Sequence, residues 1–373
     1  MNVLLQVVLA AYVWWSLGVV NRMSHVLGFT RPSLASRMLM MAASAVVLLV
    51  VHECGHCLAG RAVGWRFLRL RIGPLGLVRE AKGLRIRWIR WDLGGGATFA
   101  PTSMDGFATA DLIFTAAGPL ASLLGMLVFE WLAYVASTAY TFWLFSTMAQ
   151  WAFLGVLSLL PAGSGLAMSD GYWLWELLRG GDQGERRQRY MLCNMAHGTA
   201  VRPRDWPGEL MSPVLAGGGD RHEWYIAYVH LMDAGEPHAA FAWLLKALEK
   251  PQKSDPPEYA LEAAYYLGVY RRDAKQAGKW LGSAGKDTPK WVRLRAQAAV
   301  ALAWGEADRA RKLVGDAERE LGAAFPCGSV ECERARLRDL LDRLDAGTAA
   351  IQSPHATADV RVVPAGVDVC GPS

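Results

Sequence analysis

The chain has 373 residues, of which 53% are hydrophobic and only 20% are charged, and its formal net charge is +5. Soluble domains average about 25% charged residues, so the composition argues against a wholly soluble protein. Residues 1–180 hold thirteen Lys and Arg against eight Asp and Glu, whereas residues 181–373 hold equal numbers of both. A nucleic-acid-binding protein carries its basic excess on a soluble surface, so this distribution excludes nucleic acid as a partner.

Four apolar stretches are long enough to cross a bilayer, which takes about 20 helical residues. They lie at about residues 3–20, 38–60, 112–136 and 139–160. The first lacks the basic start and the small-residue cleavage site of a signal peptide, so we interpret it as a retained helix. The four stretches predict a multi-pass membrane domain over residues 1–180, embedded in the lipid bilayer.

Lys and Arg are unevenly distributed among the segments that join these spans. Residues 61–90 carry nine of them, residues 21–37 carry three, and the segment between the third and fourth spans carries none. Because cytoplasmic loops are enriched in Lys and Arg, residues 61–110 and the C-terminal region are predicted to be cytoplasmic. A compact four-span core without an organelle-targeting signal favours a bacterial inner (plasma) membrane.

Between the second and third spans the sequence changes its period. Residues 84–91 alternate apolar with basic side chains, and Gly94, Gly95 and Gly96 follow. Alternation with period two is typical of strands. Residues 64–100 are therefore predicted to form a small β-sheet against the cytoplasmic face of the membrane.

The second span contains the sequence His52-Glu53-Cys54-Gly55-His56, an H-E-x-x-H motif. Residues i and i+4 share one helix face, so both imidazoles can bind the same Zn²⁺ at about 2.0–2.1 Å. Glu53 can remove a proton from a water that the zinc has acidified. Ionisable groups inside an apolar span are costly unless they are functional, which favours a metal site over two ordinary histidines.

A catalytic zinc usually has three protein ligands and one open position, so a third ligand must come from elsewhere. The fourth span ends on the side of the membrane where His56 lies, and Asp170 follows that span. This geometry favours Asp170, with Glu176 as its main rival and a helix N-cap as the alternative role of Asp170. The acidic residues near the spans are Asp92, Asp105, Asp111, Glu130, Asp170 and Glu176.

These motifs resemble those of the site-2 protease family of intramembrane zinc metalloproteases, peptidase family M50. The resemblance covers roughly residues 38–180, and it implies that Asp170 is the third zinc ligand and Glu53 the general base. The segments that carry it are His52–His56, the family's first motif; Leu93-Gly94-Gly95, its β-loop; Ala116–Ser122, its Ala-Gly-Pro-Leu-x-Asn stretch; and Leu159–Pro161 with Ser169–Gly171, its Asn-x-x-Pro…Asp-Gly motif.

Two departures from the family pattern lie near the predicted ligand Asp170. Ser158 stands where the family usually has Asn, and residues 162–169 lengthen the gap between Pro161 and Asp170. If that Asn helps to hold the substrate or the oxyanion, Ser158 is expected to do so less well or differently. The predicted substrate-binding residues are Ser158, Gly94, Gly95 and Gly96. The zinc ligands themselves are intact.

The resemblance implies hydrolysis of peptide bonds in membrane protein substrates, as in regulated intramembrane proteolysis. A transmembrane helix has its backbone hydrogen bonds satisfied, so a substrate must unwind locally before it is cleaved. The glycine-rich strand at residues 94–99 is predicted to accept the unwound segment by β-addition.

Residues 181–221 are interpreted as a connector and residues 346–373 as a disordered tail. Between them, residues 222–345 are predicted to form a soluble α-helical domain like tetratricopeptide repeats, because turns recur 33–37 residues apart. Such repeats present a groove to a protein partner. A plain helical bundle is the alternative.

The predicted fold class is thus mostly α, a polytopic membrane helix bundle with a small membrane-associated β-sheet followed by the repeat domain. Besides an intramembrane endopeptidase, a membrane-anchored repeat scaffold with a structural or inactive zinc site fits the sequence. A transporter with an intramembrane histidine pair ranks last, since the other three spans are nearly bare of polar residues.

Overall fold

The computed structural model describes residues 11, 18–88, 94–161, 163–164, 167–249, 256–285 and 288–352. It divides into two compact units, the first formed by residues 1–79 and 83–198 and the second by residues 80–82 and 199–373. Helices dominate both units. The boundary after Gly198 falls inside the segment 181–221 interpreted as a connector.

Three helices of the first unit are long and apolar enough to cross a membrane. They are α1 (Leu34–Ala62), α2 (Phe107–Tyr134) and α3 (Ala139–Val156), the last extended by a 3₁₀ turn at Leu157–Leu159. Their outward faces expose large apolar side chains, as a lipid-facing surface requires. Residues 18–26 are also helical, while the rest of the predicted span 3–20 lies almost wholly outside the described residues.

The helix ends follow from local sequence. The Ser33 hydroxyl caps α1 by accepting a hydrogen bond from the Ser36 amide at 3.2 Å, and Thr138 and Thr141 form a capping box at the start of α3. Each of the three helices packs against the other two. Gly55 permits close contact between α1 and α2, because a Cβ there would lie 2.4 Å from the carbonyl oxygen of Ala117.

A small antiparallel sheet lies between α1 and α2 in the chain, as the alternating sequence predicted. Its strands are β1 (Arg66–Ile72), β2 (Leu75–Glu80), β3 (Gly83–Trp88) and β4 (Gly95–Ala100), in the spatial order β3-β2-β1-β4. Strand β4 is therefore an edge strand, paired with β1. Its Phe99 packs with Trp65, Phe107 and Phe114 in a buried cluster that joins the sheet to the helices.

The longer gap before Asp170 contains a small hairpin, β5 (Gly163–Ser164) and β6 (Ala167–Met168). Helix α4 (Asp170–Arg179) follows, and α5 (Asp182–Gly198) completes the first unit. Ser169 is the N-cap of α4, since its hydroxyl accepts from the Tyr172 amide at 3.2 Å. Asp170 is the first helical residue rather than the cap, which leaves its carboxylate available for other contacts.

The described residues of the second unit are mainly helical, and most of the helices pack around a large apolar core. Within residues 222–345 the helices pack as three consecutive pairs. The pairs are α7 (Arg221–Ala234) with α8 (Pro237–Leu248), α9 (Pro257–Tyr266) with α10 (Ala274–Ser283), and α11 (Lys290–Ala303) with α12 (Ala307–Leu321). The last helix runs to Gln352, into the segment predicted as a disordered tail, where Ala349 and Ala350 favour helix; residues 353–373 lie outside the described residues. The second unit also contains α6 (Gly208–Leu215) and this last helix, α13 (Gly328–Gln352).

Candidate metal centre

Three potential metal ligands converge where α1 meets the start of α4. The Nε2 atom of His52 lies 3.1 Å from Oδ2 of Asp170 and 3.3 Å from Nε2 of His56. The Nε2 atom of His56 lies 3.5 Å from Oδ1 of Asp170. Two residues one helical turn apart and a third 114 positions further along the chain thus face one point.

These separations fit a zinc ion. Ligand atoms held at about 2.0–2.1 Å from a tetrahedral zinc lie about 3.3–3.4 Å from one another. Two imidazoles and one carboxylate are a ligand set that zinc accepts, and three protein ligands leave a fourth position open. The donor set and its spacing therefore match a catalytic rather than a closed structural site.

Both imidazoles are held through their second ring nitrogen. Nδ1 of His56 donates to the carbonyl oxygen of Phe114 at 2.8 Å, and Nδ1 of His52 lies 3.0 Å from the hydroxyl oxygen of Ser122. A carbonyl oxygen only accepts, so the neutral His56 carries its proton on Nδ1 and keeps a lone pair on Nε2. Contacts of this kind orient metal-binding histidines and select their tautomer.

Glycine allows α2 to come this close to the ligands. A Cβ at Gly118 would lie 2.2 Å from Nε2 of His56 and 2.8 Å from Nε2 of His52, so no larger residue fits without displacing a ligand. Pro119 follows within the helix, and it has no N–H to donate to the carbonyl of Thr115. The Ala-Gly-Pro stretch of the sequence thus forms one wall of the site.

The position of Asp170 depends on its two neighbours in sequence. The Ser169 hydroxyl donates to the carbonyl oxygen of Leu160 at 2.7 Å, and a Cβ at Gly171 would lie 1.9 Å from the carbonyl oxygen of Leu159. Burial acts to raise the pKa of Asp170, but the imidazoles of His52 and His56 outweigh it and hold that pKa well below its ordinary value. The carboxylate is therefore ionised, the form in which it can bind a metal.

Glu53 lies buried between the ligands and strand β4. A Cβ at Gly95 would lie 2.4 Å from its Oε1 atom, so the strand approaches the carboxylate through a residue without a side chain. The Oε2 atom of Glu53 is buried and has no hydrogen-bond partner among the residues that the structure describes. An ionisable oxygen in this state is poised to exchange a proton with a molecule in the site.

The ligands and Glu53 line one cavity of about 360 Å³. Gly95, Gly96 and Ser158 also line it, and the Ser158 hydroxyl donates to the carbonyl oxygen of Gly155 at 2.8 Å. Gly94 is not among the lining residues; its carbonyl oxygen accepts from the Gly73 amide at 2.9 Å. Three of the four residues predicted to bind substrate thus reach the cavity.

The other acidic candidates lie apart from the converging ligands. Asp111 is fully buried and forms an ion pair with Arg187, and Asp105 accepts a hydrogen bond from Ser103 at 2.8 Å. Glu176 is buried on α4 and Glu130 is exposed on α2, and neither belongs to the ligand cluster found in the described part of the chain. Asp92 lies outside the described residues.

Sequence reasoning did not assign roles to Ser122, Gly118 or Arg187. A signal existed for Ser122, because a polar residue inside an apolar span usually has a partner, and it stands where the family motif has Asn. No sequence signal marks Arg187, which comes from α5 and lines the same cavity. Its contact with Asp111 spans 76 positions of the chain.

Comparison with known proteins identifies a family for this chain. The family model of peptidase family M50 matches residues 40–331, which include most of α1, the sheet, α2 to α12 and the beginning of α13. No curated protein and no solved structure matches the chain.

Proposed function

The chain belongs to peptidase family M50, the site-2 protease family, and from this premise we propose that it is an intramembrane zinc-dependent endopeptidase that cleaves membrane-associated proteins. Family membership implies a metallopeptidase, and three apolar helices indicate a membrane protein. The observation that carries the proposal is the convergence of His52, His56 and Asp170 beside the buried carboxylate of Glu53.

In the proposed mechanism, His52, His56 and Asp170 would hold the zinc ion. A zinc ion bound there would supply a Lewis acid for the scissile carbonyl and would lower the pKa of a water molecule in the cavity. Glu53 acts as the general base through its unpaired Oε2 atom and then returns the proton to the leaving amine. Ser122 and the Phe114 carbonyl keep the imidazoles of His52 and His56 oriented during hydrolysis.

Strand β4 is the proposed binding place for the substrate backbone. Among the described strands it pairs only with β1, and its residues Gly95, Gly96 and Ala97 line the cavity. An unwound substrate segment would add to the free edge of β4 as a further strand. Ser158 would contact the same segment, since its hydroxyl oxygen still accepts a hydrogen bond while its proton is donated to Gly155.

Proline substitutions test this binding mode. Successive N–H groups of a strand point to opposite edges, so of Ala97 and Thr98 one faces β1 and the other faces the free edge. Proline at the free-edge position should weaken cleavage while the protein stays folded and binds zinc. Unchanged cleavage in both stably expressed variants, Ala97→Pro and Thr98→Pro, would contradict β-addition.

The second unit is proposed to be a tetratricopeptide-like domain that recruits a substrate or a regulatory protein, as its three helix pairs and their spacing suggest. The distribution of Lys and Arg supports a cytoplasmic location for it, and a bacterial inner membrane is proposed for the whole chain. Deletion of residues 222–345 should then lower cleavage of a cellular substrate but leave zinc binding intact.

Zinc content is the decisive measurement for the proposed activity. We expect about one zinc per chain in the detergent-purified wild type and in Glu53→Gln, and loss of zinc in His56→Ala and Asp170→Ala. Cleavage should be lost in all three variants. A folded wild type without zinc would contradict the proposal. If the protein were instead a membrane-anchored scaffold with an inactive metal site, the Glu53→Gln variant would retain every function of the wild type in cells.

A further inference from the structure

An ion pair between Asp111 and Arg187 lies near the potential metal ligands. The hydrolysis proposed above does not use it. Asp111, on α2, is fully buried, and Arg187 reaches it from α5. Nε of Arg187 donates to Oδ2 of Asp111 at 2.8 Å, and Nη2 donates to Oδ1 at 3.2 Å. Two parallel hydrogen bonds of this kind fix the plane of the guanidinium group as well as its position.

Trp173 holds the same guanidinium group from a second direction. The Cζ atom of Arg187 lies 4.4 Å from the centre of the Trp173 ring, a cation–π contact. Trp173 stands three residues after Asp170, one turn along α4. The guanidinium group is therefore held both by α2 and by the helix that carries the third metal ligand.

Arg187 has hydrogen-bonding capacity left for the cavity. It lines the cavity together with the metal ligands and Glu53, and no other Lys or Arg does so among the described residues. Its Nε and Nη2 atoms bind Asp111, whereas Nη1 has no hydrogen-bond partner in the part of the chain that the structure describes. Nη1 carries two N–H donors.

The charge balance indicates what kind of acceptor these donors suit. Asp111 already neutralises Arg187, and the charges of Glu53 and Asp170 would offset those of a bound Zn²⁺, so the cavity lining would carry little net charge. A second carboxylate would meet little net attraction there. A neutral peptide carbonyl needs only a donor with fixed direction, which the two-sided support of the guanidinium group provides.

We propose that Arg187 is a substrate-binding residue that donates from Nη1 to a main-chain carbonyl oxygen of the peptide in the cavity. Asp111 and Trp173 are the positioning residues that aim it. This proposal rests on the endopeptidase function proposed above, and it adds a contact to the substrate on the side of the cavity formed by α5.

Peptide binding by the full-length protein in detergent tests the proposal without requiring turnover. The Glu53→Gln background prevents cleavage, and the probes are two fluorescein-labelled peptides: an uncharged one of Leu, Ala and Gly, and the same peptide with one Asp. Arg187→Lys retains the charge beside Asp111 but loses the planar set of donors. Arg186→Lys is the matched control, since Arg186 is adjacent on α5, binds Tyr190 and does not line the cavity.

We expect Arg187→Lys to weaken binding of both probes roughly tenfold, the loss of a charge-assisted hydrogen bond, with zinc content unchanged. Arg186→Lys should stay within about twofold of the parent. Asp111→Asn provides a second test. It leaves Arg187 without its counter-charge, so the Asp-containing probe should gain affinity relative to the neutral one, a shift that a purely structural ion pair would not produce.

Unchanged binding of both probes in Arg187→Lys would overturn the proposal. If Arg187→Lys weakened binding of the Asp-containing probe alone, Arg187 would recognise an acidic side chain rather than a main-chain carbonyl, and the proposal would be wrong. Loss of zinc in Arg187→Lys would show that Arg187 has a structural role instead. The endopeptidase proposal is tested by a different measurement, cleavage of the probe by the protein with intact Glu53 and Arg187. An uncleaved probe there would contradict that proposal. Binding in the Glu53→Gln background still reports on Arg187 in that case.

Discussion

Both units of the molecule bury ionisable side chains, but they use them differently. In the first unit, Glu53 is buried with one carboxylate oxygen unpaired and facing a cavity. In the second unit, the buried Glu262 accepts hydrogen bonds from Tyr228 at 2.6 Å, from Arg295 at 2.7 Å and from Arg336 at 3.2 Å. Burial of charge alone therefore does not distinguish a candidate reactive group. The unsatisfied buried oxygen of Glu53 beside three potential metal ligands is the basis on which it is proposed as the general base.

The same comparison applies to the arginines. Arg295 is fully buried and contacts two carboxylates, Glu262 and Glu333, while its guanidinium group stacks on Tyr265 at 4.4 Å. Arg187 is held in a similar way by Asp111 and Trp173, but it also lines a cavity. Nη1 of Arg295 also has no hydrogen-bond partner among the described residues, but it is buried between helices, whereas Arg187 lines a cavity that can hold a ligand.

The largest expected effect comes from Glu53→Gln, which keeps the shape of the side chain but removes the base. Cleavage of a substrate should fall by about 10²–10⁴-fold, the usual contribution of a general base. Thermal stability and zinc content should stay at wild-type values, because Glu53 has no structural partner to lose at Oε2. If Glu53→Gln cleaved the substrate at the wild-type rate, Glu53 would not be the general base, and its difference from the fully paired Glu262 would have no functional meaning.

Glu262→Gln should have the opposite outcome. It leaves Glu333 as the remaining carboxylate partner of the buried Arg295 and Arg336, and removal of one partner of a buried ion network costs about 3–5 kcal/mol of stability. Chemical unfolding of the full chain should show this loss, with zinc content unchanged. Glu306→Gln is the control, since its pair with Arg309 is exposed and its loss should cost less than about 1 kcal/mol.

Ser122→Ala should weaken zinc binding without abolishing it. The Ser122 hydroxyl contacts Nδ1 of His52, and loss of such a contact typically lowers metal affinity by about 10–100-fold. Competition with a zinc chelator measures the change. Ser44→Ala serves as the control, because Ser44 is buried on α1, the helix that carries His52, but its hydroxyl has no partner among the described residues. Equal zinc affinity in both variants would mean that Ser122 does not orient the ligand.

The smallest expected effect is a loss of stability at low pH, caused by protonation of Glu262. Burial acts to raise the pKa of Glu262, but Arg295 and Arg336 outweigh it and lower that pKa below its ordinary value of 4.5. The stabilisation is then fully present above about pH 4.5 and is lost as the pH falls toward the folded-state pKa. The difference in unfolding free energy between wild type and Glu262→Gln should begin to narrow below about pH 4.5. A difference that widens in acid would contradict this sign.

Much of this protein follows from local pattern. The spacing of His52 and His56 places two imidazoles on one helix face because an α-helix repeats every 3.6 residues. The alternation in residues 84–88 indicates a strand because successive side chains of a strand point to opposite faces. Apolar runs of about 20 residues indicate membrane-length helices, and the ordered motifs indicate the family. These inferences depend on neighbours along the chain, and sequence is sufficient for them.

Tertiary structure alone decided which distant groups meet. The contacts of His52 with Ser122, of His56 with the Phe114 carbonyl and of Arg187 with Asp111 join positions 58 to 76 residues apart. Such contacts depend on how α1, α2 and α5 pack. That packing requires small residues such as Gly55 and Gly118, where a Cβ would collide with a neighbouring helix, and the sequence does not show which neighbour lies there. The sequence by itself thus determined the elements, the metal-binding motif and the family, whereas the partners that orient the ligands and line the cavity were decided by the approach of helices distant in the chain.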